Sequence, residues 1–258
     1  MFTFEEIKKE YKEDVWRKNP KAVLVEYLQY EILDSIFKQK NSEKLSFMGG
    51  TAIRIVHNGT RFSEDLDFDN FGLSFSEFGS ILEKSVLDME SKGFEIEFRL
   101  IEKGAYHAYV KFPKLLFDNN LSPHISEKIL VKIDTVQKEK KFESLVFVLD
   151  KFNVYKKILV NSVDIVLSQK IIAAFERKKT KGRDFFDISF LLNRVSPNYE
   201  YLNENVNIKN QKELKKRLLK RANDLDFKKL ARDIEPFLIN HAEKDRVIEF
   251  KNFVKEVL

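Results

Sequence analysis

Apolar positions recur at helical spacing from the first residues of the chain. Residues 3–18 carry one such run, Asn19-Pro20 interrupts it, and a second helix is predicted over 21–37, with Val23, Leu24, Tyr27, Leu28, Ile32 and Ile36 on one side. Leu45-Ser-Phe-Met reads as a short strand running into Gly49-Gly50. After the glycines, Thr51-Ala-Ile-Arg-Ile-Val-His fits a helix of about two turns. Asn58-Gly59 marks a turn. Leu66-Asp-Phe-Asp then alternates apolar and acidic residues, as a strand with one wet face does. Residues 74–92 form a long amphipathic helix ended by Gly93. Alternation returns in Phe94-Glu-Ile-Glu-Phe-Arg-Leu-Ile-Glu and in Tyr106-His-Ala-Tyr-Val-Lys-Phe, and residues 128–136 and 145–149 add two more strands. From about Asn161 the pattern turns helical, with helices predicted over 162–178, 184–194, 212–223, 227–239 and 244–257.

This order is helices, then a mixed sheet with one early crossover helix, then a helical tail, which is an α+β arrangement. No repeat, low-complexity linker or Pro/Gly/Ser-rich boundary divides it. The one division is compositional and falls near residue 160. It separates residues 1–160, a core with N-terminal helices, from residues 161–258, a helical region expected to contribute to the active site.

Composition narrows the chemistry. The 258 residues are 43% hydrophobic and 34% charged, with 8 Gly, 5 Pro and 24 Phe, a globular balance with an aromatic-rich core. There is no Cys, so thiolate metal sites, disulfides and Cys nucleophiles are excluded. His57, His107, His124 and His241 show no ligand-like spacing, so a metal would be held by carboxylates, which favours Mg²⁺ or Mn²⁺. The amino terminus lacks an apolar signal core, and no apolar run approaches the ~20 residues that span a bilayer. A cytoplasmic protein without membrane contact is expected. The net charge of +5 suits a polyanionic acceptor, and equally a Lys-rich solubilising surface.

The chemistry concentrates in Phe47-Met-Gly-Gly-Thr-Ala-Ile-Arg and the following Arg61-Phe-Ser-Glu-Asp-Leu-Asp-Phe-Asp. Glycines between a strand and a helix start let backbone amides approach a phosphate closely. Asp65 and Asp67, two apart on a strand, leave it on one face and can share divalent cations bridging a triphosphate. Either motif alone is weak; their order and spacing are specific. Asp134, at a polar position of a later strand, is the best third carboxylate and metal ligand, with Asp69 as a rival. Lys132 would share the face of Asp134 and meet a phosphate. Downstream, Lys170, Ala174 and Arg177 fall on one helix face, and Lys170 is the cation suited to a departing pyrophosphate. Asp184 and Asp187 lie together on the next helix, after Arg183.

Gly49-Gly-Thr-Ala-Ile-Arg, Arg61-Phe-Ser-Glu-Asp-Leu-Asp-Phe, Lys170-Ile-Ile-Ala-Ala and Arg183-Asp-Phe-Phe-Asp-Ile together resemble the AbiEii/AbiGii family over roughly residues 45–195. These are nucleotidyltransferase-like toxins of bacterial toxin–antitoxin and abortive-infection systems. The resemblance implies a polymerase-β-like nucleotidyltransferase core with a mixed sheet flanked by helices and a helical C-terminal part. It also implies Mg²⁺, a nucleoside triphosphate donor, an RNA acceptor such as a tRNA 3′ end, and a cognate antitoxin. By position it assigns Gly49, Gly50 and Ser63 to the triphosphate, with Thr51 and Arg61 in the same motifs, and Asp65 and Asp67 to metal. Lys170 would meet phosphate, and Asp184 or Asp187 would form the downstream acidic motif. Gln169 stands where the family often has Glu.

The expected activity is therefore metal-dependent transfer of a nucleoside monophosphate from a nucleoside triphosphate to an acceptor, RNA first. Transfer to a small molecule such as an aminoglycoside, or to a protein, uses the same chemistry. A non-catalytic nucleotide- or RNA-binding module is the alternative from another class, and the intact Asp65/Asp67 pair counts against it.

Overall fold

The computed structural model describes residues 1–139 and 142–258. It comprises two compact units, a sheet unit of residues 1–52 and 62–161 and a helical unit of residues 53–61 and 162–258.

The sheet unit opens with α1 (Phe4–Lys8), α2 (Glu13–Lys18) and α3 (Pro20–Phe37). There follow β1 (Leu45–Met48), the first half of α4 (Gly49–Val56), whose residues from Ile53 on belong to the helical unit, β2 (Leu66–Asn70) and α5 (Phe75–Ser91). β3 (Glu97–Glu102), β4 (Tyr106–Phe112), α6 (Leu115–Asp118), β5 (Ile129–Gln137), β6 (Ser144–Lys151) and β7 (Val154–Asn161) complete it. The seven strands form one mixed sheet in the order β3-β4-β5-β2-β1-β7-β6. β2 runs antiparallel to β1 and parallel to β5, so α5, β3 and β4 make the crossover between two adjacent strands. α3 packs against α5 and β7 and is buried nearly all round, with Glu26, Gln29, Glu31 and Ser35 buried among its apolar residues. Leu28, Leu33, Phe47, Leu66 and Phe68 are fully buried.

Two differences from the sequence expectation have local causes. Residues 3–18 form two short helices instead of one run. β7 was not expected at all. Its hairpin with β6 turns through Phe152 and Asn153, both at positive φ, without the glycine that usually announces such a turn. Phe152 is buried there, with its ring 5.4 Å from Tyr27 and 5.2 Å from Tyr30. Aromatic packing holds a bulky residue in a backbone region it seldom adopts.

The helical unit contains α7 (Val163–Glu176), α8 (Gly182–Leu192), α9 (Tyr199–Val206), α10 (Gln211–Asn223), α11 (Phe227–Ile234), α12 (Asp245–Ile248) and α13 (Phe250–Val257). α9 had no counterpart in the sequence reading. The helix expected over 227–239 stops at Ile234, where Pro236 enters a 3₁₀ turn. The core centres on α8, whose Phe185 meets Phe250 edge-on at 4.9 Å and Phe227 at 5.3 Å. Among the described residues no helix is long and apolar enough to cross a membrane.

α8 begins at Gly182 because α11 leaves no room for a side chain. A Cβ on Gly182 would overlap the backbone carbonyl of Leu230, and the Gly182 amide donates to Asp233 Oδ2 at 3.2 Å. Gly182→Ala should therefore destabilise the unit by about 1–3 kcal/mol through a forced backbone shift. Urea denaturation checks this, and an unchanged midpoint would show that α8 and α11 separate without cost.

Candidate active site

The residues singled out in the sequence fall into two groups, one in each unit. In the sheet unit, β1 delivers the chain to Gly49, the first residue of α4. The glycines belong to the helix itself, two residues earlier than expected. The amides of Gly49, Gly50 and Thr51 thus lie in the first turn, where N–H groups have no partner within the helix. Gly49 has φ +82°, and a Cβ there would collide with the carboxylate of Asp67 on the neighbouring strand. Only glycine fits between that strand and its aspartate. Thr51 is fully buried, and its hydroxyl donates to the backbone carbonyl of Asp65. Gln29 Nε2 donates to the Ser63 carbonyl at 2.8 Å. These two bonds fix the loop that leads into β2.

Asp67 is on β2, and Asp65 is one residue before its start; both are partly exposed. In the parallel β2–β5 ladder Asp67 lies directly beside Asp134, so the third candidate carboxylate is on the adjacent strand and the same face. Asp134 is held on two sides, by His107 Nδ1 at 2.7 Å from Oδ1 and by Lys132 Nζ at 2.7 Å from Oδ2. Burial works against the Lys132 charge, but the hydrogen bond and charge of Asp134, with Tyr109 and Asp65, outweigh it and hold its pKa above the usual lysine value. Lys132 does share the expected face, but its ammonium serves Asp134. The rival Asp69 is fully buried, accepting from Asn161 Nδ2 at 2.7 Å and facing Lys138 at 3.7 Å, so it is a packing residue. His107 was passed over in the sequence. Alternation in Tyr106-His-Ala-Tyr marks its face, but which strand β4 pairs with is not encoded locally.

Among the described residues no three ligating side chains are already gathered into a metal cage. The donor set nevertheless fits a hard divalent cation. It is all carboxylate, and the absent side chain of Gly49 keeps the flank of Asp67 clear of carbon.

In the helical unit, Arg61 and Asp187 form a buried bidentate pair, Nε to Oδ1 and Nη2 to Oδ2 both at 2.7 Å. Arg61 is 2% exposed and Asp187 not at all. Lys170 Nζ joins at 2.8 Å from Asp187 and stands 3.8 Å from Asp184. Burial opposes the Asp187 charge, yet Arg61 and Lys170 hold its carboxyl below the usual range. The geometry corrects the expectation for Arg61. Its guanidinium is enclosed and directed at a carboxylate, not open to a triphosphate. A bridge to Leu238 and the bond from the Ile239 amide to the Thr60 carbonyl at 3.2 Å fix the segment that carries it. Arg177 differs too. α7 ends at Glu176, and Arg177 is its extended cap, although its guanidinium still reaches Asp184 at 3.1 Å. Asp184 is 1% exposed, and neither oxygen has a hydrogen bond among the described residues; ion pairs alone compensate it.

The fold of the chain is shared with solved structures. The JHP933 protein of Helicobacter pylori is 20% identical, with a TM-score of 0.59, over 92% of this chain and 91% of that one. A second H. pylori structure, described as a candidate nucleotidyltransferase, is also 20% identical at a TM-score of 0.59, over 92% of this chain and 94% of that one. These likenesses establish the fold. No curated protein matches the sequence. The family model for the nucleotidyl transferase AbiEii toxin of type IV toxin–antitoxin systems matches residues 31–255, and the chain belongs to this family.

Removing one member of a buried charge pair strands the other. Arg61→Ala should cost about 3–5 kcal/mol of stability, and Arg61→Lys, which keeps charge but loses the fork, should cost less. Denaturant titration of the two variants measures this. Wild-type stability in Arg61→Ala would mean that water or rearrangement already satisfies Asp187.

Proposed function

We propose that the protein transfers a nucleoside monophosphate from a nucleoside triphosphate to the 3′ hydroxyl of an RNA, tRNA-sized acceptors foremost, and that this reaction is the toxic activity countered by a cognate antitoxin. The observation that carries the reading is the juxtaposition of Gly49, at the start of α4, with Asp67 and Asp134 on the neighbouring strands β2 and β5. The first-turn amides of α4 would bind the triphosphate. Asp65 and Asp67 would hold a divalent cation, Mg²⁺ or Mn²⁺, which when bound neutralises phosphate charge and favours the ionised acceptor. The acceptor oxygen then bonds to the α-phosphorus. The bond from that phosphorus to the bridging oxygen breaks, and pyrophosphate departs. Asp134, held by His107 and Lys132, would be the third carboxylate of the site, as a further metal ligand or as the group that takes the hydroxyl proton. The assignments of Ser63 to the triphosphate, Lys170 to phosphate and Asp184 or Asp187 to an acidic motif belong to the same proposal.

The test is transfer of α-³²P label from each of the four nucleoside triphosphates, with Mg²⁺, onto bacterial RNA and protein. Wild type should label a tRNA-sized band, Asp67→Ala should lose about 100-fold or more, and Lys170→Ala should weaken turnover. Full activity in Asp67→Ala would remove the site from the chemistry. Label on protein instead of RNA would redirect the acceptor.

A further inference from the structure

The sheet face that carries Asp67 continues well past Asp134. Residues paired across neighbouring strands present their side chains on one face. Asp134 lies opposite His107, and His107 opposite Ile101. One rung along, Lys132 lies opposite Tyr109 and Tyr109 opposite Arg99. The next rung is Leu130, Lys111 and Glu97. Here β3, β4 and β5 form a concavity of about 510 Å³ lined by Glu97, Phe98, Arg99, Ile101, Tyr109, Lys111 and Leu130. That volume lies within the ~300–1,000 Å³ of small-ligand sites.

Its chemistry is selective. Tyr109 is partly exposed, and Lys132 Nζ lies 6.0 Å from its ring centroid. Arg99 and Lys111 are exposed on either side, while the one acidic lining residue, Glu97, is paired with Lys128. Leu130 is 45% exposed, an apolar surface beside the ring. An aromatic platform flanked by cations is the device that holds single-stranded nucleic acid, bases stacking on the ring and phosphates meeting the charges. A protein acceptor would need no such ring, and a small cation such as an aminoglycoside would be repelled by Arg99 and Lys111.

We propose that this concavity is the acceptor subsite, binding a nucleotide upstream of the 3′ terminus of a single-stranded RNA end with its base on Tyr109 and its phosphates at Arg99 and Lys111. From strand spacing and rise, Tyr109 is about 12 Å from Asp67, so the bound nucleotide precedes the terminal one. The proposal rests on the nucleotidyl-transfer reading of Asp67, but binding can be measured apart from transfer.

The experiment is fluorescence anisotropy of a short labelled single-stranded RNA with the full chain, without nucleoside triphosphate. Wild type should bind, Tyr109→Ala should bind about ten-fold or more weakly, and Tyr109→Phe should bind as wild type. Arg99→Glu should also weaken binding. All three variants should keep the thermal shift given by Mg²⁺ and a nucleoside triphosphate, which confirms that they are folded. RNA bound equally well by Tyr109→Ala, or not bound by wild type, overturns the subsite. So does equal labelling of a protein acceptor by wild type and Tyr109→Ala. If RNA binding depends on Tyr109 but wild type transfers no label, the subsite stands and the transfer reading fails.

Discussion

At the junction of β1 and α4, the hydrogen of Gly49 and the carboxylate of Asp67 share a volume that would not admit another carbon atom. The backbone must turn there with φ +82°, and the aspartate must lie flat against the turn. That single close approach fixes the direction in which α4 starts and so the aim of its first amides. It also fixes the rung of β2 on which Asp67 lies. The Thr51 hydroxyl, bonded to the Asp65 carbonyl, ties the same two segments a second time. Phosphate binding by amides and cation binding by carboxylates are both short-range, so a site using both needs this level of positional control.

The helical unit is organised by a different interaction. Arg61, Lys170 and Asp187 form a charge cluster almost wholly buried, and Asp184 is held beside it by ion pairs alone among the described residues. Such clusters contribute little net stability relative to apolar packing, but each member is costly to remove singly. The cluster also explains why residues 53–61 belong to a unit whose other residues begin at 162. The Arg61 guanidinium requires a buried carboxylate, and Asp187 supplies it 126 residues away.

What could be read from the chain follows the range of the forces involved. β1, α4 and β2 were legible because Gly49-Gly50 and Asp65-x-Asp67 are local signals with local causes. Membership of the nucleotidyltransferase family was legible from these motifs taken together with Lys170-Ile-Ile-Ala-Ala and Arg183-Asp-Phe-Phe-Asp-Ile. β7 was not, since Phe152-Asn153 turns without glycine and Lys156-Lys157 breaks the alternation of Val154-Tyr-Lys-Lys-Ile. Pro236 was a visible stop for α11, but the apolar spacing ran past it. Strand order is set by long-range pairing, so the nearness of Asp134 to Asp67, the orienting role of His107 and the exposed ring of Tyr109 beside Lys132 could not be read from spacing. Arg61 looked like a loop cation for phosphate, and nothing near it in sequence announces its burial.

The most direct measurement is titration calorimetry of a non-hydrolysable nucleoside triphosphate, with Mg²⁺, into wild type and Gly49→Ala. Circular dichroism would confirm that the variant is folded. If the approach of Gly49 to Asp67 builds the nucleotide site, wild type binds and the added methyl abolishes or severely weakens binding while the fold persists. Equal affinity in the two proteins would contradict the account and place the nucleotide elsewhere on the chain.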